Sequence, residues 1–149
     1  LCVCERRGRP RVCRWVGRRR CQVCVRGRGG AGGVLGRRAA VLGEVFGGYA
    51  NAVLLPGDVT QEAEVEGAFD RFVAEAGRID ALFNNAGTFG RADTIDGITL
   101  DEWRHVVDLN LTGMFLCARA AFRRMQDQDP QGGRIINTGS ISAHVPRDG

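Results

Sequence analysis

Small polar groups, each set at the end of a short apolar run, mark where this chain is equipped for chemistry. Ser140 closes the run Arg134-Ile135-Ile136-Asn137-Thr138-Gly139-Ser140. A hydroxyl at the carboxyl end of a buried strand can donate to a substrate oxygen. Ser142 is the competing candidate. Asn84-Asn85-Ala86-Gly87 closes the run from Ile79 to Phe83. Its amides can tie neighbouring strands together, and Gly87 lacks the Cβ that would keep backbone away from a ligand. Asp58 and Val59 follow Leu54-Leu55-Pro56-Gly57 in the same manner. Asn110 interrupts an apolar helical stripe, where a side-chain amide is costly unless hydrogen-bonded. Each has a plainer reading: an Asn-Gly-type turn, a turn or capping Asp, a satisfied core Asn, a Ser/Thr-rich loop.

The elements that must position these groups can be read from spacing. Ala52 to Leu55 predicts a strand, closed by Pro56-Gly57. Thr60 is a suitable N-cap for a helix with Glu62 and Glu64 in its first turn. Val65, Ala68, Phe69, Phe72, Val73 and Ala76 form that helix's apolar face, and Gly77 stops it. Ile79 to Phe83 predicts the next strand. Thr99-x-x-Glu102 is a capping box opening a longer helix. Its buried stripe is expected at Trp103, Val106, Val107, Leu111, Met114, Phe115, Ala118 and Phe122. Residues 127–133 form a turn, and Arg134 to Asn137 opens a third strand. Alternating strands and helices with short links predict an α/β fold with a parallel sheet.

These segments, in this order, resemble the central part of a short-chain dehydrogenase/reductase. The resemblance covers roughly residues 40–149 and includes Asp108-Leu109-Asn110-Leu111-Thr112-Gly113 as well as the runs above. It implies a Rossmann-like, doubly wound parallel sheet, incomplete in this chain. The implied activity is hydride transfer between NAD or NADP and an alcohol or ketone substrate. By the same resemblance, Asp58 contacts the adenine ring, with Val59 beside it. Asn84, Asn85, Ala86 and Gly87 line the adenosine side of the cofactor. Asn110 holds a water of the proton relay and leaves its helix locally irregular, and Ser140 orients the substrate oxygen. Relatives form dimers or tetramers, partly through the helix from Trp103 to Phe122.

The family's general acid is a Tyr with a Lys four residues later. The single Tyr here, Tyr49, lies far upstream of Asn84, and the chain has no Lys. The resemblance puts that Tyr just beyond Gly149, so a truncated chain, itself inactive, is the simplest expectation. Gly27-Arg28-Gly29-Gly30-Ala31-Gly32 satisfies G-x-G-x-x-G, but such a match is cheap in a Gly-rich stretch and lies too near Asp58. Arg37 and Arg38 are the residues that would favour NADP.

Composition divides the chain. Residues 1–38 hold 12 Arg against one acid, Glu5, a net +11, whereas residues 39–149 hold 9 Arg against 16 acids, a net −7. Five of the six Cys lie in the first part, leaving Cys117 in the second, where it offers no disulfide framework. Residues 1–39 therefore read as an atypical Arg/Gly/Cys-rich segment, out-of-frame or disordered, and residues 40–149 as the partial dehydrogenase domain. Cys-x-Cys and Cys-x-x-Cys without a nearby His argue against zinc, and no metal site is expected. One aromatic, Trp15, among the arginines argues against a nucleic-acid module. No apolar run reaches membrane-spanning length, and the expected location is the cytoplasm. In the family's sheet, two strands lie between those ending at Leu55 and Phe83. Unless residues 1–38 supply them, poor solubility and no tight nicotinamide binding are expected. Two readings of another class are a non-catalytic dehydrogenase-like scaffold and a basic nucleic-acid-binding arm on an α/β domain.

Overall fold

The computed structural model describes residues 2–3, 14–15, 23–26, 32–35, 52–140 and 143–145, with side chains from Leu55 onward. Strands β1 (Cys2–Val3) and β2 (Arg14–Trp15) form a small antiparallel pair. The main sheet has five strands: β3 (Val23–Arg26), β4 (Gly32–Leu35), β5 (Ala52–Leu55), β6 (Ala81–Asn84) and β7 (Arg134–Asn137). Their order across the sheet is β5-β4-β3-β6-β7. The two positions between β5 and β6 are thus filled by Gly32–Leu35 and Val23–Arg26. The fold is α/β with parallel strand pairs, as expected, and one strand of the sheet is reversed. β4 runs parallel to β5 and β6 parallel to β7, whereas β3 is antiparallel to both its neighbours. Only a few residues separate β3 from β4, and a connection that short can make a hairpin but not a parallel crossover.

Register brings the strand ends into one row. Leu55 pairs with Leu35, Leu35 with Val23, Val23 with Asn84, and Asn84 with Asn137. Segments leaving β5, β6 and β7 therefore start from the same edge of the sheet.

Helix α1 (Glu62–Ala76) buries Val65, Ala68, Phe69, Phe72 and Ala76, as its spacing predicts, and ends at Gly77, whose φ of 78° is left-handed. Its N-cap is Gln61, with no side-chain cap bond, not Thr60. In the turn before the helix, Asp58 Oδ1 accepts from Thr60 N–H at 3.1 Å, and the Asp58 carbonyl accepts from Gln61 N–H. A continuous helical rod follows: α2 (Leu100–Val107), a π-helical turn at Asp108–Thr112, and α3 (Gly113–Asp127). The Thr99/Glu102 capping box that opens it forms as predicted.

The expected buried stripe of this rod is corrected. Trp103, Leu111, Phe115 and Phe122 are exposed, Trp103 by 62%. Val106, Val107, Met114 and Ala118 are half-buried. The face that meets the core carries Gly113, Leu116, Cys117, Ala120, Ala121 and Met125. The rod has two adjacent apolar faces, and the smaller side chains lie against the rest of the fold, where they permit close approach. α3 packs beside α1 and against β6 and β7. The core between them joins Phe69, Phe72, Ile79, Leu82 and Leu116.

Candidate functional site at the sheet edge

Asn84 is the last residue of β6 and only 1% exposed. It shares a sheet face with Leu82, two residues earlier, and so points at the helix layer. Its Nδ2 donates to the Met114 carbonyl at 3.2 Å and to Asn137 Oδ1 at 3.0 Å. One side chain thereby ties α3 to the ends of two strands. Its Oδ1 is buried with no hydrogen-bond partner among the described residues. The Asn84 carbonyl accepts from Thr138 N–H at 3.0 Å, and Asn85 Oδ1 accepts from Thr138 Oγ1 at 3.2 Å. The predicted strand-tying role of these amides is thus visible, although the partners Asn137 and Thr138 were not singled out from sequence. Asn137 gave a signal, as a polar residue next to Ile135 and Ile136 in a strand.

Asn110 lies inside the π-turn. Its Oδ1 accepts from Thr88 N–H at 2.8 Å, and its Nδ2 donates to the Thr88 carbonyl at 2.9 Å. The amide thus mimics a strand neighbour for one residue of the loop after β6. A Cβ on Gly87 would stand 3.2 Å from Asn110 Oδ1, tight enough to displace it. A side chain at position 87 would thus press on the Asn110 amide. Ala86 is buried, whereas Gly87 is exposed. π-Turns carry one residue more than an α-turn and occur often at functional sites. The irregularity expected at Asn110 is present.

At the far side of the row, Asp58 leaves the end of β5. Its backbone N–H donates to Glu64 Oε2 at 2.6 Å, a link from the first turn of α1 that sequence reasoning missed. The acid at position 64 was seen only as a partner for the helix dipole. Val59 is buried, and a Cβ on Gly113 would approach its Cγ2 to 3.0 Å. That packing sets the Asp58 turn against the start of α3. Pro56, Gly57, Asp58 and Glu64 line an open cleft of about 450 Å³. Ser140 is exposed three residues beyond β7, and its carbonyl accepts from Ala143 N–H at 3.1 Å. Ser142, Tyr49, Arg37 and Arg38 lie outside the described residues.

The row of paired residues puts Asp58, Asn84–Gly87 and Ser140 along one edge. With strands about 4.8 Å apart, the end of β5 stands about 19 Å from that of β7. A ligand touching both must be long. Residues 27–31 of the G-x-G-x-x-G match lie outside the described residues. Among the described residues no group of His, Cys, Asp or Glu is arranged to hold a metal, and no helix is long and apolar enough to cross a membrane. Cys117 is fully buried, and desolvation pushes its thiol from 9.0 up to about 12, which leaves it inert as a nucleophile.

The family model for short chain dehydrogenase matches residues 27–149. The chain belongs to the short-chain dehydrogenase family. It is 41% identical over 107 residues to a hexahydro-indene-carboxyl-CoA reductase of Mycobacterium tuberculosis, covering 72% of this chain and 39% of that protein. It is 34% identical over 110 residues to a 3-oxoacyl-[acyl-carrier-protein] reductase of Synechocystis, covering 74% and 43%. Among solved structures, the 3-ketoacyl-(acyl-carrier-protein) reductase of Brucella melitensis complexed with NADH superposes with a TM-score of 0.72 at 25% identity, covering 77% and 48%. The chain thus spans less than half the length of these dehydrogenase relatives. The Rossmann-like reading of the fold stands on this family match.

Proposed function

We propose that this chain supplies the cofactor-binding edge of an NAD(P)-dependent oxidoreductase acting on an alcohol or ketone. The observation that carries this reading is the register row, which sends Asp58, Asn84–Gly87 and Ser140 off one edge, with Asn110 docked on Thr88 between them. Ligands of open α/β sheets bind outside the carboxyl ends of strands. The fit is good on the adenosine side. The Asp58 backbone is held by Glu64 beside an open cleft, and Gly87 is exposed at the end of β6. It is poorer toward the diphosphate, because β3 presents its first residue and not its last to this edge.

When bound, a nicotinamide supplies or accepts the hydride. The residues of this chain do the positioning. Asp58 and the Val59 backbone receive the adenine end. Asn84, Asn85 and Thr138 fix the strand ends over which the cofactor lies. Asn110 holds the loop after β6 and takes its place in the proton relay, and the Ser140 hydroxyl donates to the substrate oxygen. In sequence, Arg37 and Arg38 come one residue, Gly36, after the end of β4, and the first acid after them is Glu44. A cation at that point of the chain accommodates a 2′-phosphate, which favours NADP over NAD. The exposed Trp103, Leu111, Phe115 and Phe122 form an apolar helix face suited to a second copy, giving a dimer or tetramer in the cytoplasm. The orientation of β3 supports a second reading, a dehydrogenase-like scaffold that binds nucleotide weakly and without turnover.

Calorimetric titration with NADPH and NADH tests the proposal. Saturable binding is expected, tighter for NADPH, and weakened for both by Asp58→Ala. Absence of binding, or binding indifferent to Asp58, refutes it.

A further inference from the structure

The loop after β6, residues 88–98, contains no helix or strand. Apolar burial does not hold it down, since Phe89 and Ile95 are both exposed. Among the described residues, Arg91 fastens it. Arg91 Nε donates to Glu102 Oε1 at 3.0 Å, its Nη2 donates to the Gly97 carbonyl at 2.6 Å, and its Nη1 pairs with Asp93 at 2.8 Å. Glu102 uses its other oxygen, Oε2, to accept from the Thr99 N–H and hydroxyl, both at 2.9 Å. One carboxylate thus caps α2 and anchors the loop at once. The hydrogen bonds from Thr99 hold the Glu102 carboxyl below its usual range, with Arg91 adding to the effect.

These contacts close a ring. From Asn110 the ring crosses to Thr88, passes through Phe89 and Gly90 to Arg91, crosses to Glu102, and returns along α2 to Asn110. The crossings differ in kind. Asn110 reads only the position of the Thr88 backbone, so it depends on something else to keep Thr88 in place. Resting on the reading of Asn110 and Thr88 as part of the cofactor edge, we propose that Arg91 is a positioning residue. Its fork on Glu102 and the Gly97 carbonyl keeps Thr88 seated on the Asn110 amide. A planar guanidinium reaches three acceptors in fixed directions, which an ammonium does not.

Amide hydrogen exchange on the full chain tests this. In Arg91→Ala, the Thr88 amide is expected to exchange about fivefold faster, while those of core helix residues such as Phe72 and Cys117 stay unchanged. Arg91→Lys keeps the charge but not the fork, and Glu102→Gln keeps the cap but weakens the anchor. Both should accelerate Thr88 by a smaller factor, and they serve if Arg91→Ala fails to fold. Unchanged Thr88 exchange in all three variants overturns the proposal, as does equal acceleration at Thr88 and in the core. The readout needs no nucleotide. If Thr88 loosens while NADPH affinity is unaltered, the latch stands and the cofactor reading of this edge falls.

Discussion

The helical rod grips the chain on either side of β6 with the same device, once from its π-turn and once from its C-terminus. At the sheet edge, the Asn110 amide brackets the N–H and carbonyl of Thr88. About 27 Å away along the helix, Gln128 Oε1 accepts from Ile79 N–H at 2.9 Å and its Nε2 donates to the Ile79 carbonyl at 2.8 Å. The two clamps grip the chain just after and just before β6. Gln128 clamps a fully buried residue at the end of a regular helix. Asn110 clamps a half-buried residue from within a π-turn, beside an open loop. An identical pair of hydrogen bonds is structural at one end and a functional candidate at the other. The surroundings decide, not the bonds.

The sharpest way to break the comparison is to weaken what the clamps share. Leu116→Ala should cost about 3 kcal/mol in chemical denaturation, because it opens a cavity between α3 and the core. Leu111→Ala, one apolar face away, should change monomer stability by less than about 0.5 kcal/mol; a large monomer loss there would mean the exposed face is misassigned. Next, Gln128→Ala should cost about 2 kcal/mol, since it strands buried backbone groups of Ile79, against about 1 kcal/mol for Asn110→Ala. The order should reverse for nucleotide affinity, which Asn110→Ala reduces and Gln128→Ala leaves alone. Equal affinities in the two variants would erase the distinction. Thr99→Ala should cost about 1 kcal/mol and loosen α2 without touching α3, as separate exchange rates would report.

Acid and alkali give the smallest and most local tests. The lowered carboxyl of Glu102 contributes stability that is complete above 4.5 and disappears as pH falls through its folded value. The edge end should therefore fray first in acid. Cys117 acts oppositely. Its thiol is raised from 9.0 to about 12, so the unfolded state binds fewer protons in that window and stability falls as pH rises through it. Peptide-level alkylation should find Cys117 unreactive until the chain unfolds.

Much of this edge was legible because the relevant residues break a local rule. Asn84 ends an apolar run, Asn110 interrupts an apolar helix, and Thr99 with Glu102 spells a cap. Each announces itself within a few residues. What stayed hidden depends on distant partners. Periodicity showed that the rod was apolar but not which of two faces would meet the sheet, since Leu116 and Phe115 differ only in what stands opposite them. The direction of β3 follows from the shortness of the link to β4, not from any property of Val23 to Arg26. Thr60 is instead part of the turn before the helix, its own N–H held by Asp58 Oδ1, and the cap position falls to Gln61.

The five-residue π-turn has a consequence for insertions and deletions. Each residue in regular winding advances a helix by about 100°. An extra residue in regular winding would thus swing α3 by that angle relative to α2, and the wide turn at Asp108–Thr112 takes it up instead. Removing one residue there would let the rod relax to ordinary winding with Leu116 and Ala120 still seated in the core. The loss would fall on the turn itself, where the Asn110 amide would no longer stand opposite Thr88.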